Sequence, residues 1–435
     1  MPLISVIVTC YDIEEYLEQC LESVVNQTLQ DMEIIVVDDG STDGTKEIIT
    51  KFEAADPRIQ TIFFSENTVG GVGRAANAGL DAATGEFIGF VDGDDYLELD
   101  MFEKMCRAAV DDQSDLVMCK YLEVLEATGE RREPAERRCW AGLEGAGLLR
   151  LDSPERVNQI LGFIAVPWRK VYARALLEEN GIRFPEVDYA WEDNPFHWCT
   201  VCSARSISFV DEVLCYHRIG RAGQTMVSRD ARFVKVFGHF ETIRDWLSQR
   251  GILARHEGAL LSWALSQFEW VVRRLPRESG DALYDALRPV VLSVDEGLLE
   301  STLKARLGRT GAMIRFVRNG EKQQFLNLFE RRFETEASGS HAIGVKLERG
   351  LAMFGLAREN LRTYGFRNTL SKALMSFGAP PWLLSSKKAG KSQPLTDEQM
   401  LKFLAILQRD IDRKHSEVLG KLRDIEDDLK DRLPK

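Results

Sequence analysis

Along the first 95 residues, short apolar runs alternate with stretches of helical spacing. Leu3-Ile-Ser-Val-Ile-Val-Thr9 is a β-branched run that breaks at Cys10-Tyr11-Asp12. Residues 14–29 then place Tyr16, Leu17, Leu21, Val24, Val25 and Leu29 at helical intervals. Glu33-Ile-Ile-Val-Val-Asp38 is a second strand run and ends in Asp39-Gly40-Ser41-Thr42-Asp43-Gly44, where Thr42 or Asp43 can cap the next helix. Residues 59–64 and 87–91 predict a third and a fourth strand. Strands alternating with helices predict a mostly parallel sheet covered on both faces, an α/β fold. Ligands of such sheets bind beyond the carboxyl ends of the strands. Thr9, Asp38, Asp39, Asp92 and Asp94 all fall at such ends.

From about residue 226 the pattern becomes amphipathic helix, through Trp246, Trp263, Phe268 and Trp270 to about 335. Aromatics at helical spacing predict a helical core here more readily than a ligand platform. Ser338-Gly339-Ser340 reads as a linker. The expected organisation is a catalytic α/β domain over 1–225, a helical domain over 226–337, a basic amphipathic segment over 341–395 and a long amphipathic helix over 396–435. The stripe of that last helix, from Met400 through Leu404, Leu407 and Ile411 to Leu433, steps by about 3.67 residues. It suits a helix packed on its own chain and an oligomerisation helix equally. No solenoid-type repeat is present.

Composition narrows the class. A length of 435 residues predicts about two to three domains, and 44% hydrophobic with 29% charged residues describes a soluble globular chain. No apolar run approaches the roughly 20 residues of a membrane span. The start lacks a basic segment ahead of an apolar one, so a cytoplasmic location is expected. Eight scattered cysteines suit reduced thiols. His197, Cys199, Cys202, Cys215 and His217 lie close in sequence, but their spacing and apolar setting favour core packing over zinc. A net charge of −12 argues against nucleic acid as a partner. Within this acidic chain, 341–395 carries nine Lys/Arg against two Asp/Glu. Interleaved with Phe354, Phe366, Leu370 and Trp382, that charge suits either the anionic inner face of a membrane, in peripheral contact, or docking on the chain's own acidic domain.

Asp92-Gly93-Asp94-Asp95 directly follows the apolar run Phe87–Val91. Carboxylates crowded at a buried strand end repel one another unless a cation offsets them, and hard oxygen ligands favour Mg²⁺ or Mn²⁺. The competing explanation is a solvated acidic turn.

At this point an ordered set of motifs resembles the inverting family 2 glycosyltransferases of the GT-A fold, of the bacterial polysaccharide-synthesis type. The set begins Ser5-Val-Ile-Val-Thr-Cys-Tyr-Asp-Ile-Glu-Glu-Tyr-Leu17, Ser23-Val-Val-Asn-Gln-Thr28 and Glu33-Ile-Ile-Val-Val-Asp-Asp-Gly-Ser-Thr-Asp-Gly-Thr45. It continues with Asn77-Ala-Gly-Leu80, Gly85-Glu-Phe-Ile88, Phe90-Val-Asp-Gly-Asp-Asp95, Pro167-Trp-Arg-Lys-Val-Tyr172, Gly181-Ile-Arg-Phe-Pro185 and Trp191-Glu-Asp-Asn-Pro-Phe196. It covers about the first 220 residues, and its order is more specific than any one piece.

The resemblance implies a GT-A, Rossmann-like catalytic domain and a site residue by residue. Asp39 would accept the uracil imide N–H, with Thr9, Tyr11 and Asp12 lining the base and ribose pocket. Asp92 would lie by the ribose or the metal, Asp94 would ligate the metal, and Asp193 would be the catalytic base. Arg74, Arg169 and Lys170 are candidate diphosphate contacts. His217, followed by Arg218 and by Gly220-Arg-Ala-Gly223, matches a mobile lid and is a candidate metal or phosphate contact. Taken without the resemblance, Glu192-Asp193-Asn194-Pro195 is a helix-start signal. Two departures touch the nucleotide: Asp12 stands where the family usually has Asn, and Ala75-Ala76-Asn77 where it commonly has Ala-Arg-Asn.

The expected partners are a UDP-sugar donor, and a growing glycan or lipid-linked saccharide as acceptor. A same-fold rival, a sugar-nucleotide pyrophosphorylase, needs a Gly-rich basic signature near the start that Thr9-Cys-Tyr-Asp-Ile-Glu14 lacks. A rival of another class is a catalytically silent scaffold. It has no physical need for Asp39, Asp94 and Asp193 together.

Overall fold

A computed structural model describes residues 1–337 except 69, 70, 141, 144, 222, 223, 225–230, 305 and 307. The linker 338–340, the basic segment 341–395 and the terminal helix 396–435 lie outside the described residues. The chain divides into two compact units, Met1–Arg331 and Arg332–Lys435, and the sheet and site belong to the first.

Among the described residues the sheet has ten strands. In chain order these are β1 Ile4–Cys10, β2 Met32–Asp38, β3 Ile59–Phe63, β4 Phe87–Asp92, β5 Tyr96–Leu97, β6 Leu116–Leu125, β7 Arg131–Arg132, β8 Leu148–Arg150, β9 Lys170–Ala173 and β10 Ser206–Ile219. The order across the sheet is β3-β2-β1-β4-β9-β6-β10-β5, with β7 on β6 and β8 on β10. β1, β2, β3 and β4 run parallel, as expected from strands that alternate with helices. β9 enters between β4 and β6 antiparallel to both, so the sheet is mixed at its centre. Every residue of β1 is buried, which is the burial of a central strand covered on both faces.

Register sets the level of the site. Thr9 lies opposite both Val37 and Asp92, and Cys10 opposite Asp38, so β2 and β4 release their acidic ends at one height on either side of the end of β1. β10 pairs with β6, and its register shifts between Val210 and Val213 and again between Val213 and Cys215. Such bulges bend and re-aim a strand. Beyond them β10 meets β5 through Cys215–Leu97 and Tyr216–Tyr96, which carries His217 and Arg218 to the acidic turn.

After a 3₁₀ turn, Ala231–Phe237, come the helices Gly238–Gln249, Leu253–Val271, Gly280–Leu292, Glu296–Leu303, Arg309–Asn319 and Lys322–Ala337. Phe268 is core, as its spacing predicts, but Trp246, Trp263 and Trp270 keep some exposure. Trp270 packs on Trp191, and Trp263 hydrogen-bonds Asn194, so two of these indoles meet the sheet domain instead of filling the helical core. Among the described residues no helix is long and apolar enough to cross a membrane.

Candidate active site

The acidic turn is held tightly to β1. Gly93 N–H donates to Thr9 O at 3.0 Å, and Asp95 N–H to Asp92 O at 2.9 Å. A Cβ at Gly93 would lie 2.5 Å from Ile13 Cδ1 and 2.9 Å from Thr9 O, so only glycine fits between the three carboxylates. Asp92, Asp94 and Asp95 each place a ligating oxygen within 4.8 Å of the others. Burial, and then the neighbouring carboxylates Asp95 and Asp94, push Asp92 well above the usual carboxylate range. Burial raises Asp95 as well, against the pull of His217. This is a hard-oxygen set with its charge incompletely compensated, and it suits Mg²⁺ or Mn²⁺.

The end of β10 answers part of that charge. His217 Nδ1 lies 2.9 Å from Asp95 Oδ2 and its ring stacks on Trp168. Burial opposes its protonation, but the charges of Asp95, Asp92 and Asp94 and the hydrogen bond to Asp95 outweigh it and raise His217 to about 9. His217 is therefore cationic near neutrality. It pairs with Asp95, and the mutually close ligating atoms are those of the three aspartates. Arg218 N–H donates to Asp95 Oδ1 at 2.8 Å, and Arg218 Nε to Asp94 O at 2.7 Å. Arg221 pairs with the Asp94 carboxylate.

On the other side of the strand ends, Asp39 N–H is anchored to Cys10 O at 2.9 Å. Gly40, at φ +78°, makes the turn that follows, and a Cβ there would meet Glu66 C at 2.4 Å. The Asp39 carboxylate accepts from Thr68 N and, at 2.8 Å, from Thr68 Oγ1. Burial raises Asp39, partly offset by Thr68 and Arg74. Arg74 lies over the Phe64 ring, 4.5 Å from its centroid. Asp12, with φ +46°, uses its own carboxylate to accept from Thr42 N at 2.7 Å and joins the two loops. Tyr11 is 43% exposed, beside this pocket in sequence, and Thr9 is buried at the end of β1.

Asp193 is the first residue of the helix Asp193–Ser203, as the helix-start signal predicts. Burial raises its pKa to about 6, against the opposing charge of Lys170 and the hydrogen bonds from Asn194. Its charge also raises Asp92. Lys170 is buried, with Nζ donating to Val166 O at 2.6 Å and Ala165 O at 3.3 Å. Arg169 is turned to Glu136 and Ile164 O. Glu192 is raised by burial to about 7, and the N–H groups of Val72 and Gly73 at the start of the helix Gly73–Ala82 oppose that rise. No local signal marks Thr68, Glu192 or Trp263 as a site residue, because each meets the site through a contact distant in the chain, and Asn194 is tied to Asp193 locally but to Trp263 only by the fold.

Cys199, Cys202 and Cys215 do not converge. Cys215 Sγ lies 4.0 Å from Cys119 Sγ, and burial raises Cys199 and Cys202 to about 12. Among the described residues the group of metal-type ligands is the acidic one.

Residues 5–179 match the family model for glycosyl transferase family 2. EpsH of Bacillus subtilis (strain 168) is 31% identical over 318 residues, 70% of this chain and 86% of EpsH. EpsJ of the same organism is 34% identical over 223 residues, half of this chain and 61% of EpsJ. Among solved structures, S. aureus TarS 1–349 in complex with UDP shares the fold at TM-score 0.60 and 23% identity, over 78% of this chain and 92% of that one.

Proposed function

This chain belongs to glycosyl transferase family 2 and is a glycosyltransferase, and from that premise we propose that it moves a sugar from a UDP-sugar to an acceptor hydroxyl with inversion. The acceptor class is a growing glycan or lipid-linked saccharide. The observation that carries the mechanism is Asp193, a half-buried carboxylate held at about 6 beside the acidic turn. A base with a pKa near the working pH is ionised and still basic enough to take a proton.

In the proposed step the acceptor O–H gives its proton to Asp193 while its oxygen bonds the anomeric carbon. The bond from that carbon to the diphosphate breaks, UDP leaves on the opposite face, and the configuration inverts. A divalent cation held by Asp94 and Asp92 would supply Lewis-acid stabilisation of the diphosphate. Arg221 pairs with the Asp94 carboxylate, which it would share with or yield to such a cation. Asp95, held by His217 and Arg218, keeps the turn in place. Asp39 accepts from the uracil imide once Thr68 yields, with Thr9, Tyr11 and Asp12 around base and ribose and Arg74 toward the diphosphate. UDP as the nucleotide is supported by Asp39 and by the UDP complex of TarS.

The test is Asp193→Asn with a panel of UDP-sugars and Mn²⁺. UDP binding should persist while transfer falls by at least about 10²-fold, the usual contribution of general base catalysis. Transfer at the wild-type rate would remove Asp193 from this role. A wild-type chain that neither binds UDP nor turns over any UDP-sugar would remove UDP as the donor nucleotide.

A further inference from the structure

Asp193 does not stand alone at the head of its helix. Its Oδ1 accepts from Asn194 Nδ2 at 2.8 Å, and the same Nδ2 donates to Trp191 O at 3.1 Å. Trp191, in the left-handed region at φ +73°, presents that carbonyl. The other end of the amide, Asn194 Oδ1, accepts the indole Nε1–H of Trp263 at 2.9 Å, from the helix Leu253–Val271.

The direction of this chain of bonds is forced. An indole N–H donates and cannot accept, so it must meet the amide oxygen and turns the NH₂ toward two acceptors, Asp193 and Trp191 O. Asn194 is only 7% exposed, which leaves little room for water to substitute. The helix that delivers Trp263 is itself held on both sides. His256 Nδ1 lies 2.8 Å from Asn158 Oδ1 in the sheet domain. On the far side, Arg306 bonds Ser262 O at 2.9 Å, and Ser266 Oγ and Glu269 Oε1 each at 2.8 Å.

We propose that Trp263 is a positioning residue for glycosyl transfer: through Asn194 it sets the rotamer of the Asp193 carboxylate, which makes the helix Leu253–Val271 part of the catalytic apparatus. This rests on Asp193 as the base. Without the indole N–H the buried amide oxygen has no donor, so the amide is anchored at its NH₂ end alone and tilts, fixing the carboxylate less closely. The carboxylate then rotates off the line to the acceptor hydroxyl. The hydrogen bond from Asn194 also holds the carboxylate down against burial, so its loss raises the pH at which the base ionises.

The test compares wild type, Trp263→Phe, Asn194→Leu, the double variant and Asp193→Asn in the full chain. Turnover is read as UDP release from whichever of UDP-glucose, UDP-galactose and their N-acetylamino forms the wild type uses. Trp263→Phe keeps the ring and deletes the N–H. Its kcat should fall about tenfold, the scale of one hydrogen bond to a charged network. UDP affinity and donor KM should stay within about twofold, the acidic limb of the kcat profile should move to higher pH, and the double variant should be no slower than Asn194→Leu alone. Wild-type kcat and pH limb in Trp263→Phe, with Asp193→Asn dead, would overturn the relay and leave the base assignment standing. Losses that multiply in the double variant would overturn it too. Active Asp193→Asn would overturn both. Should Trp263→Phe fail to bind UDP, and so not fold, Trp263→Met decides by the same readouts.

Discussion

Gly93 N–H donates to Thr9 O at 3.0 Å, so the turn that carries three aspartates is tied to the central strand. The same closeness leaves no space for a side chain at 93, where a Cβ would sit 2.5 Å from Ile13 Cδ1. Gly93→Ala must push the turn off β1 or displace Ile13. Overpacking of this kind costs about 1–3 kcal/mol, and a shift of about 1 Å in the turn costs about 10²-fold in rate. Urea melts should therefore show a modest loss of stability, while turnover nearly disappears. Unchanged turnover would mean that the turn is not where the chemistry depends on it.

Asp94 and Asp95 are neighbours with different bonds, and their amides should separate them. Asp95 is 2% exposed, and its carboxylate accepts from His217 and from Arg218 N–H. Asp94 meets Arg221, which a cation can displace. Asp94→Asn should keep the melting temperature and weaken Mn²⁺ activation by at least about tenfold if Asp94 is the ligand proposed above. Asp95→Asn should lower stability by about 1.5–3 kcal/mol, the scale of hydrogen bonds to a buried charge. Mn²⁺ titration of turnover together with urea melts checks both, and equal effects in the two variants would contradict this division.

The strands β1, β2 and β4 are legible because a strand buried on both faces must be apolar almost throughout, and the acidic ends of β2 and β4 then stand out; β3, with Gln60 and Thr61 and only Ile59 buried, is legible from its place between helices. The resemblance, together with the run Phe87–Val91, pointed to Asp92, Asp94 and Asp193, and the roles of all three rest on the behaviour of their variants. Strands of two to four residues, such as β5 and β9, carry no period, so the antiparallel entry of β9 between β4 and β6 was not foreseen. Contacts that cross the fold were hidden for a different reason. Arg221 and Asp94, Thr68 and Asp39, or Trp263 and Asn194 are brought together by packing, and nothing in their local sequence names the partner. Asp193 shows the overlap of two signals: it starts a helix, as its local sequence says, and the same position puts its charge close enough to raise Asp92.

Asp193 should set the acidic limb of activity and weaken the fold for the same reason. Its carboxyl is raised by burial to about 6, so kcat should climb as pH rises through that value and level off above it. A carboxylic acid whose folded pKa exceeds its unfolded one stabilises the fold only while protonated. Stability from this group is full below the ordinary aspartate range, declines as pH rises, and is lost above about 6. Asp193→Asn escapes that decline. It should melt higher than wild type at pH 8 and lose the advantage toward pH 4, even as it loses transfer. A melting temperature lower than wild type at pH 8 would show that the carboxylate is needed by the fold itself.

Arg169 and Glu136 form the sharpest test of how the fold is held behind the site. Arg169 is 0% exposed and Glu136 5%, and two of the guanidinium nitrogens face the two carboxylate oxygens. Glu136 also accepts Ile164 N–H at 2.8 Å, and Arg169 Nη2 donates to Ile164 O at 3.0 Å, so the pair closes the loop that leads into β9. Tyr121 and Phe163 cover the guanidinium, with centroids 5.3 and 5.4 Å away. Glu136→Ala would leave a cation buried against aromatic faces with no counter-charge, and breaking such a pair from one side costs about 3–5 kcal/mol. Replacing both partners, as Glu136→Leu with Arg169→Met, removes the charge along with its counter-charge and should cost much less. Urea unfolding of the single and double variants checks this. The double variant should recover most of the stability lost by Glu136→Ala. Because Lys170, next in the chain, faces Asp193 electrostatically, the acidic limb of kcat should shift in Glu136→Ala and return toward wild type in the double variant.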